Sequence, residues 1–78
     1  LLNLIKDCVV KNTLKVERAK KNLTQADLAK LIMVSRQTIH AIESGKYVPS
    51  TVLALKIAHI FETTIEEVFE LEESDWSK

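Results

Sequence analysis

The stretch Leu23-Thr24-Gln25-Ala26-Asp27-Leu28-Ala29-Lys30-Leu31-Ile32-Met33-Val34-Ser35-Arg36-Gln37-Thr38-Ile39-His40-Ala41-Ile42-Glu43-Ser44-Gly45 decides the fold. Thr24-x-x-Asp27 has the form of a capping box, in which a hydroxyl and a carboxylate satisfy backbone N–H groups at a helix start. Behind it Ala26, Leu28, Ala29, Leu31 and Ile32 recur at helical spacing, which predicts a helix over 24–32. Ser35 opens a second helix with Ile39 and Ile42 three apart, and Gly45 stands where glycine ends one. Only Met33 and Val34 separate the two.

Outward from this pair the helical pattern continues. Pro49-Ser50 marks the next start, and Leu53, Ile57, Ile60 and Phe61, widened by Val52 and Leu55, form the stripe of a helix over 51–61. Thr64-x-x-Glu67 is a second capping box, for a short helix holding Ile65, Val68 and Phe69. Upstream, helical spacing starts at Leu14. One Gly and one Pro in 78 residues leave few turns for an all-β chain. The expected fold is all-α, a compact bundle of five short helices with brief connections. Val9-Val10 and the alternating Phe69-Glu70-Leu71-Glu72 can each extend and pair at the base of the bundle, although Val9-Val10 also fits the start of the first helix. Residues 1–7 and 73–78 read as poorly ordered ends.

Composition narrows the function. With 46% apolar and 28% charged residues this is one ordinary globular domain. Cys8 is alone, which excludes an internal disulfide, and His40 and His59 have no cluster of ligands beside them, so no metal is expected. No apolar run nears the ~18–20 residues that span a bilayer, and no signal-peptide pattern opens the chain. The expectation is a soluble, cytoplasmic protein. There is no nucleophile–base pair or phosphate-cradling glycine loop, so neither enzyme activity nor a cofactor is expected, and His59 reads as a helix-surface residue.

The net charge of zero conceals a separation. Residues 1–48 carry nine basic and four acidic side chains, a balance of +5, while residues 49–78 carry two lysines and seven acids, a balance of −5. A basic pole suits an anionic partner, although charge blocks in small proteins are often only solvated faces. On the helix from Ser35, Ile39, Ile42 and Glu43 share one stripe, and Arg36, Gln37, His40, Ala41 and Ser44 form the opposite one. That outward face has planar, multiply bonding groups and no carboxylate. Arginine bonds bidentately to guanine and glutamine to adenine, and a small residue such as Ala41 approaches a thymine methyl.

Two helices joined by a tight connection are the layout of a helix-turn-helix. The runs Leu23-Thr24-Gln25-Ala26-Asp27-Leu28-Ala29, Val34-Ser35-Arg36-Gln37-Thr38-Ile39 and Ile42-Glu43-Ser44-Gly45-Lys46 closely resemble the Cro/C1-type helix-turn-helix family. Tyr47-Val48-Pro49-Ser50, Ala54-Leu55-Lys56-Ile57-Ala58 and Ile65-Glu66-Glu67-Val68-Phe69 follow the same pattern, so the resemblance covers about Leu14 to Glu70. It implies a Cro/C1 repressor-like bundle over 14–70, an arm over 1–13 and an acidic tail over 71–78. It also implies a DNA surface. Gln25 falls where the family contacts a phosphate and braces the recognition helix. Ser35, Arg36, Gln37 and His40 fall where base edges or adjacent phosphates are read, with Thr38 beside them and Ala41 at a further base-facing position. Ser44, Lys46 and Tyr47 fall in a loop that grips backbone phosphate. Structural alternatives stand beside three of these: Ser35 as an N-cap, Thr38 as a satisfied helix residue, Tyr47 as packing.

Arg18 and Glu43 read differently. Val10, Leu14 and Arg18 lie four apart, which puts Arg18 on the apolar side of the first helix, and Glu43 shares the core stripe of the second. Opposite charges on inward faces predict an ion pair that orients the recognition helix, and the family resemblance implies the same. Two positions depart from the family pattern. Met33 stands where glycine is usual, and Glu17 where an apolar residue is common, which predicts a loosely packed first helix. The leading expectation is a sequence-specific DNA-binding regulator, a repressor acting as a homodimer through Ile65, Val68, Phe69, Leu71 and Trp76. The competing one is a protein-interaction module, an antitoxin or bridging coactivator, that binds DNA weakly and without sequence preference.

Overall fold

The structure is a computed structural model that describes residues 10–77. Its helices are α1 (Leu14–Lys20), α2 (Gln25–Ile32), α3 (Arg36–Glu43), α4 (Thr51–Ile60) and α5 (Ile65–Val68). Strands β1 (Lys11–Asn12) and β2 (Phe69–Glu70) pair antiparallel, and a 3₁₀ helix spans Glu73–Ser77. The polar residues read as helix starts are the caps. Thr24 Oγ1 accepts the Asp27 N–H at 3.0 Å while Asp27 Oδ2 accepts the Thr24 N–H at 2.9 Å, a complete capping box. Ser35, Ser50 and Thr64 accept in turn from Thr38, Leu53 and Glu67. Each helix therefore begins one residue after its predicted capping residue. Thr64 makes only the hydroxyl half of the box expected there.

At the base of the bundle the pairing is displaced from the one predicted. Lys11 opposes Glu70 and Asn12 opposes Phe69, so the first strand lies beyond Val9-Val10. The Thr13 N–H reaches the Val68 carbonyl at 2.9 Å and locks this register at the end of α5. Lys11 opposite Glu70 adds a favourable cross-strand charge pairing. Residues 1–7, Cys8 and Val9 lie outside the described residues. Residues 73–77 are not the loose end expected of them. Asp75 Oδ2 accepts the Glu72 N–H at 2.7 Å and starts the 3₁₀ turn.

Leu14, Leu28, Ile32, Ile39, Ile42, Ile57 and Val68 are fully enclosed, and Ala29, Leu53 and Phe61 complete the cluster. Each comes from a different helix or from the inner stripe of one, which fixes the five helices around one centre. Val68 is only 1% exposed and Phe69 packs against the core from outside. This corrects the expectation that Val68 belongs to a surface between copies, because the core encloses it, while Phe69 keeps part of its surface outside. Ile65 is half-buried, and Leu71 and Trp76 are exposed. On α4 the core takes Leu53 and Ile57 and leaves the widening residues Val52 and Leu55 outside. Glu17 is half-buried and pairs with Lys20 at 3.4 Å, and Leu14 is the one buried residue of α1.

The connection between α2 and α3 turns at Met33, which has φ 63° and ψ 48° in the left-handed region. The Met33 and Val34 N–H groups close the α2 end on the Lys30 and Ala29 carbonyls. A Cβ in that conformation costs about 1 kcal/mol, and the exposed Met33 side chain recovers little by packing. Met33→Gly is expected to leave the turn in place and to raise the melting temperature by a few degrees in a thermal melt. The gain is held below the full cost by the extra freedom of glycine in the unfolded chain.

Candidate nucleic-acid interface

Ser35 places the first turn of α3. Its hydroxyl accepts from the Thr38 N–H at 3.1 Å and lies 3.0 Å from the Thr38 hydroxyl. Both alternatives read for these residues, the cap and the satisfied helix hydroxyl, are thus present. The inner stripe of α3 is buried through Ile39 and Ile42, so Arg36, Gln37 and His40 are exposed on the other side. At its C-terminal end Ser44 Oγ donates to the Ala41 carbonyl at 3.2 Å. Gly45 takes φ 79°, and the Lys46 N–H returns to the same carbonyl at 2.9 Å. Glycine is needed at this reversal because a side chain there would meet the following backbone. Lys46 and Tyr47 leave the turn exposed.

These residues form two groups. Ser35, Gln37, Thr38, Ala41 and Tyr47 line a shallow concavity of about 400 Å³. Gln37 and Ala41 stand one turn apart along it, with Tyr47 at its side, so Tyr47 is not buried as packing. The second group is Gln25 with His40 and Glu43. Gln25 Nε2 donates to Glu43 Oε1 at 2.9 Å and lies 3.5 Å from His40 Nδ1. Arg36 and Lys46 belong to neither group, and among the described residues neither makes an ion pair. An exposed cation without an internal partner is available to an external anion.

Beneath the surface, the predicted pair is formed. Arg18 Nε donates to Glu43 Oε2, Nη2 donates to Oε1 at 3.2 Å, and Nη1 donates to the Leu23 carbonyl at 2.8 Å. The side chains are 14% and 10% exposed, so the pair is largely shielded from water. Burial alone would raise the Glu43 pKa. Hydrogen bonds from Arg18 and Gln25, with the charges of Arg18 and Lys15, outweigh it and hold the carboxyl below its ordinary value. A depressed folded-state pKa means that the unfolded chain takes up the proton first. The stabilisation is present above the ordinary carboxylate range and is lost as pH falls through the folded-state value. Thermal melts are expected to show a fall in stability on acidification that is smaller in a Glu43→Gln variant. Asp27 follows the same sign, its pKa lowered by the backbone and then the hydroxyl of Thr24.

Sequence reading missed Asn12. Its Nδ2 donates to the Ile42 carbonyl at 2.9 Å, in the last turn of α3, and its Oδ1 accepts the Leu14 N–H at 3.1 Å. One side chain thereby ties the recognition helix to the start of α1. An Asn just before an apolar helix start is a capping signal, and that half was available. The acidic C-terminal segment also reaches the end of α3. Glu72 lines a concavity of about 280 Å³ together with Glu43, Ser44 and Gly45.

Comparison with known proteins agrees with this geometry. The helix-turn-helix family profile matches residues 14–68. An uncharacterized HTH-type transcriptional regulator of Methanocaldococcus jannaschii is 58% identical over 66 residues, covering 85% of this chain and 100% of that protein. The uncharacterized HTH-type regulator YgzD of Bacillus subtilis is 47% identical over 66 residues, with the same coverage of both chains. A crystal structure from Bacteroides fragilis, of a protein provisionally named as DNA-binding, superposes with a TM-score of 0.70 at 28% identity. It covers 78% of this chain and 98% of that one. Among the described residues no helix is long and apolar enough to cross a membrane. A capped helix pair set at a tight left-handed turn, an open polar face on the second helix, and relatives matched over their full length together place the chain in the Cro/C1-type helix-turn-helix family of DNA-binding transcriptional regulators.

Proposed function

We propose that the protein is a cytoplasmic, sequence-specific repressor that inserts α3 into the major groove of double-stranded DNA as a homodimer. The observation that carries this is the exposed face of α3: among the described residues Arg36 and Gln37 make no ion pair or side-chain hydrogen bond. Arg36 reads guanine through its bidentate fork, Gln37 reads adenine, and Ala41 meets a thymine methyl one turn along. His40 reads the adjacent base or phosphate, held in place by Gln25. Ser35 and Thr38 at the helix start, with Gln25 at the start of α2, meet the phosphate that faces those helix ends. Ser44, Lys46 and Tyr47 grip the next phosphates.

One unit covers only a few base pairs, and a two-fold dimer sets its recognition helices about 34 Å apart on the same side of the duplex. Ile65, Leu71 and Trp76 supply accessible apolar surface for that dimer. The phosphate role is tested by Lys46→Ala in binding titrations over a range of salt. The variant is expected to bind every DNA more weakly, with the slope of log affinity against log salt reduced by about one per subunit. An unchanged slope would remove Lys46 from the contact.

A further inference from the structure

An apolar groove of about 620 Å³ runs between the C-terminal end of α2 and the outer side of α4, away from the residues assigned to DNA. Its walls include Leu31, Met33, Val52 and Leu55, which are 54%, 83%, 63% and 54% exposed. Four large apolar side chains left in water side by side are more than scattered surface residues, and such patches mark interaction sites. The remaining lining is uneven in charge: Lys56 and His59 stand along it and no carboxylate does. The same molecule carries the complementary surface. After β2 the chain presents Leu71 and Trp76, 52% and 77% exposed, with the exposed carboxylate of Glu73 between them in sequence and that of Glu70 just before. Trp76 does not enter the groove of its own chain.

We infer that the α2–α4 groove receives the acidic, aromatic C-terminal segment of a second copy, with Leu71 and Trp76 against its apolar walls and Glu73 facing Lys56. Exchanged reciprocally, the contact is a two-fold one in which each copy gives a segment and receives one. The inference builds on the proposed homodimer and names the surface against which the C-terminal segment docks. It concerns neither Arg36 nor Gln37, so DNA reading is tested separately. Charge selects this occupant over an uncharged apolar segment, because a basic-lined groove and an acidic apolar strip match in sign as well as in polarity.

Trp76 is the single tryptophan of the chain, so its fluorescence reports its own burial. The experiment follows the emission maximum and the sedimentation coefficient of the full chain from nanomolar to high micromolar concentration. Association is expected to shift the emission to shorter wavelength over the concentration range in which the dimer forms. Leu55→Glu, at an exposed position, is expected to weaken dimerisation at least about tenfold while leaving the melting of the monomer unchanged. Trp76→Ser, outside the core, is expected to do the same in sedimentation. Lys56→Glu is expected to weaken association, and Glu73→Lys to restore part of it in the double variant. Three results overturn the inference. One is a dimer that forms with Trp76 still in water, which would retain the homodimer and discard the groove. Another is a short-wavelength emission independent of concentration, which would place Trp76 against its own chain. The third is a monomer at all concentrations, which would discard the homodimer as well.

Discussion

Replacing Arg36 and Gln37 together by alanine is expected to leave a folded protein that no longer distinguishes its operator from random DNA. Both side chains are exposed and, among the described residues, make no ion pair or side-chain hydrogen bond, so their removal should change stability by less than about 0.5 kcal/mol. Each bidentate base contact is worth about 1–3 kcal/mol of discrimination. The pair therefore accounts for roughly 30-fold or more in affinity for the operator per subunit. Binding to random DNA is expected to fall much less, since the phosphate contacts proposed for Lys46 and the helix ends are untouched. Titrations of the wild type and the double variant against both DNAs check this. An equal loss on operator and random DNA would reduce Arg36 to a phosphate contact and leave the specificity unexplained.

Glu43→Ala is expected to be the most destabilising single change in the recognition helix. It strips Arg18 of both carboxylate hydrogen bonds at a site where the arginine is 14% exposed, leaving one bond to the Leu23 carbonyl. An uncompensated buried charge costs on the order of 3–5 kcal/mol. Against a total stability of about 5–15 kcal/mol, that is a large fraction for a chain of 78 residues. The melting temperature should fall by on the order of 15 °C. The Gln25 amide loses its partner in the same variant, so His40 loses its neighbour's fixed position. Replacing both members of the pair by apolar residues should recover most of the loss, because the charge is then gone. An unchanged melting temperature in Glu43→Ala would remove the pair from this account.

What was legible in the sequence follows the range over which each signal acts. The caps at Thr24, Ser35, Ser50 and Thr64 act over three residues, and all four are where the sequence puts them. Gly45 likewise marks the reversal it makes. The Arg18–Glu43 pair joins residues 25 apart, yet it was readable because each charge interrupts an otherwise apolar stripe. Asn12 reaching Ile42 across 30 residues leaves no such interruption, so only folding brings them together, and Gln25 reaching Glu43 across 18 is announced only by the brace that the family resemblance implies. Helical periodicity could show that Val52, Leu55 and Val68 are apolar on one side. It could not show that the core closes over Val68 and stops short of Val52 and Leu55. That outcome depends on how five helices fill one small volume. The order of the acidic C-terminal segment is hidden for a related reason: the local polar bonds that shape it, between Glu72 and Asp75 and between Ser74 and Ser77, have no apolar pattern to announce them.

The most direct test of the central claim is a salt-dependent binding titration of the wild-type protein against random DNA and against the DNA upstream of its own gene. A sequence-reading repressor binds one upstream site at least about a thousandfold more tightly than random DNA at physiological salt. The preference should persist as salt weakens both. Equal, weak binding to the two DNAs at every salt concentration would contradict that claim and turn the search toward a protein partner.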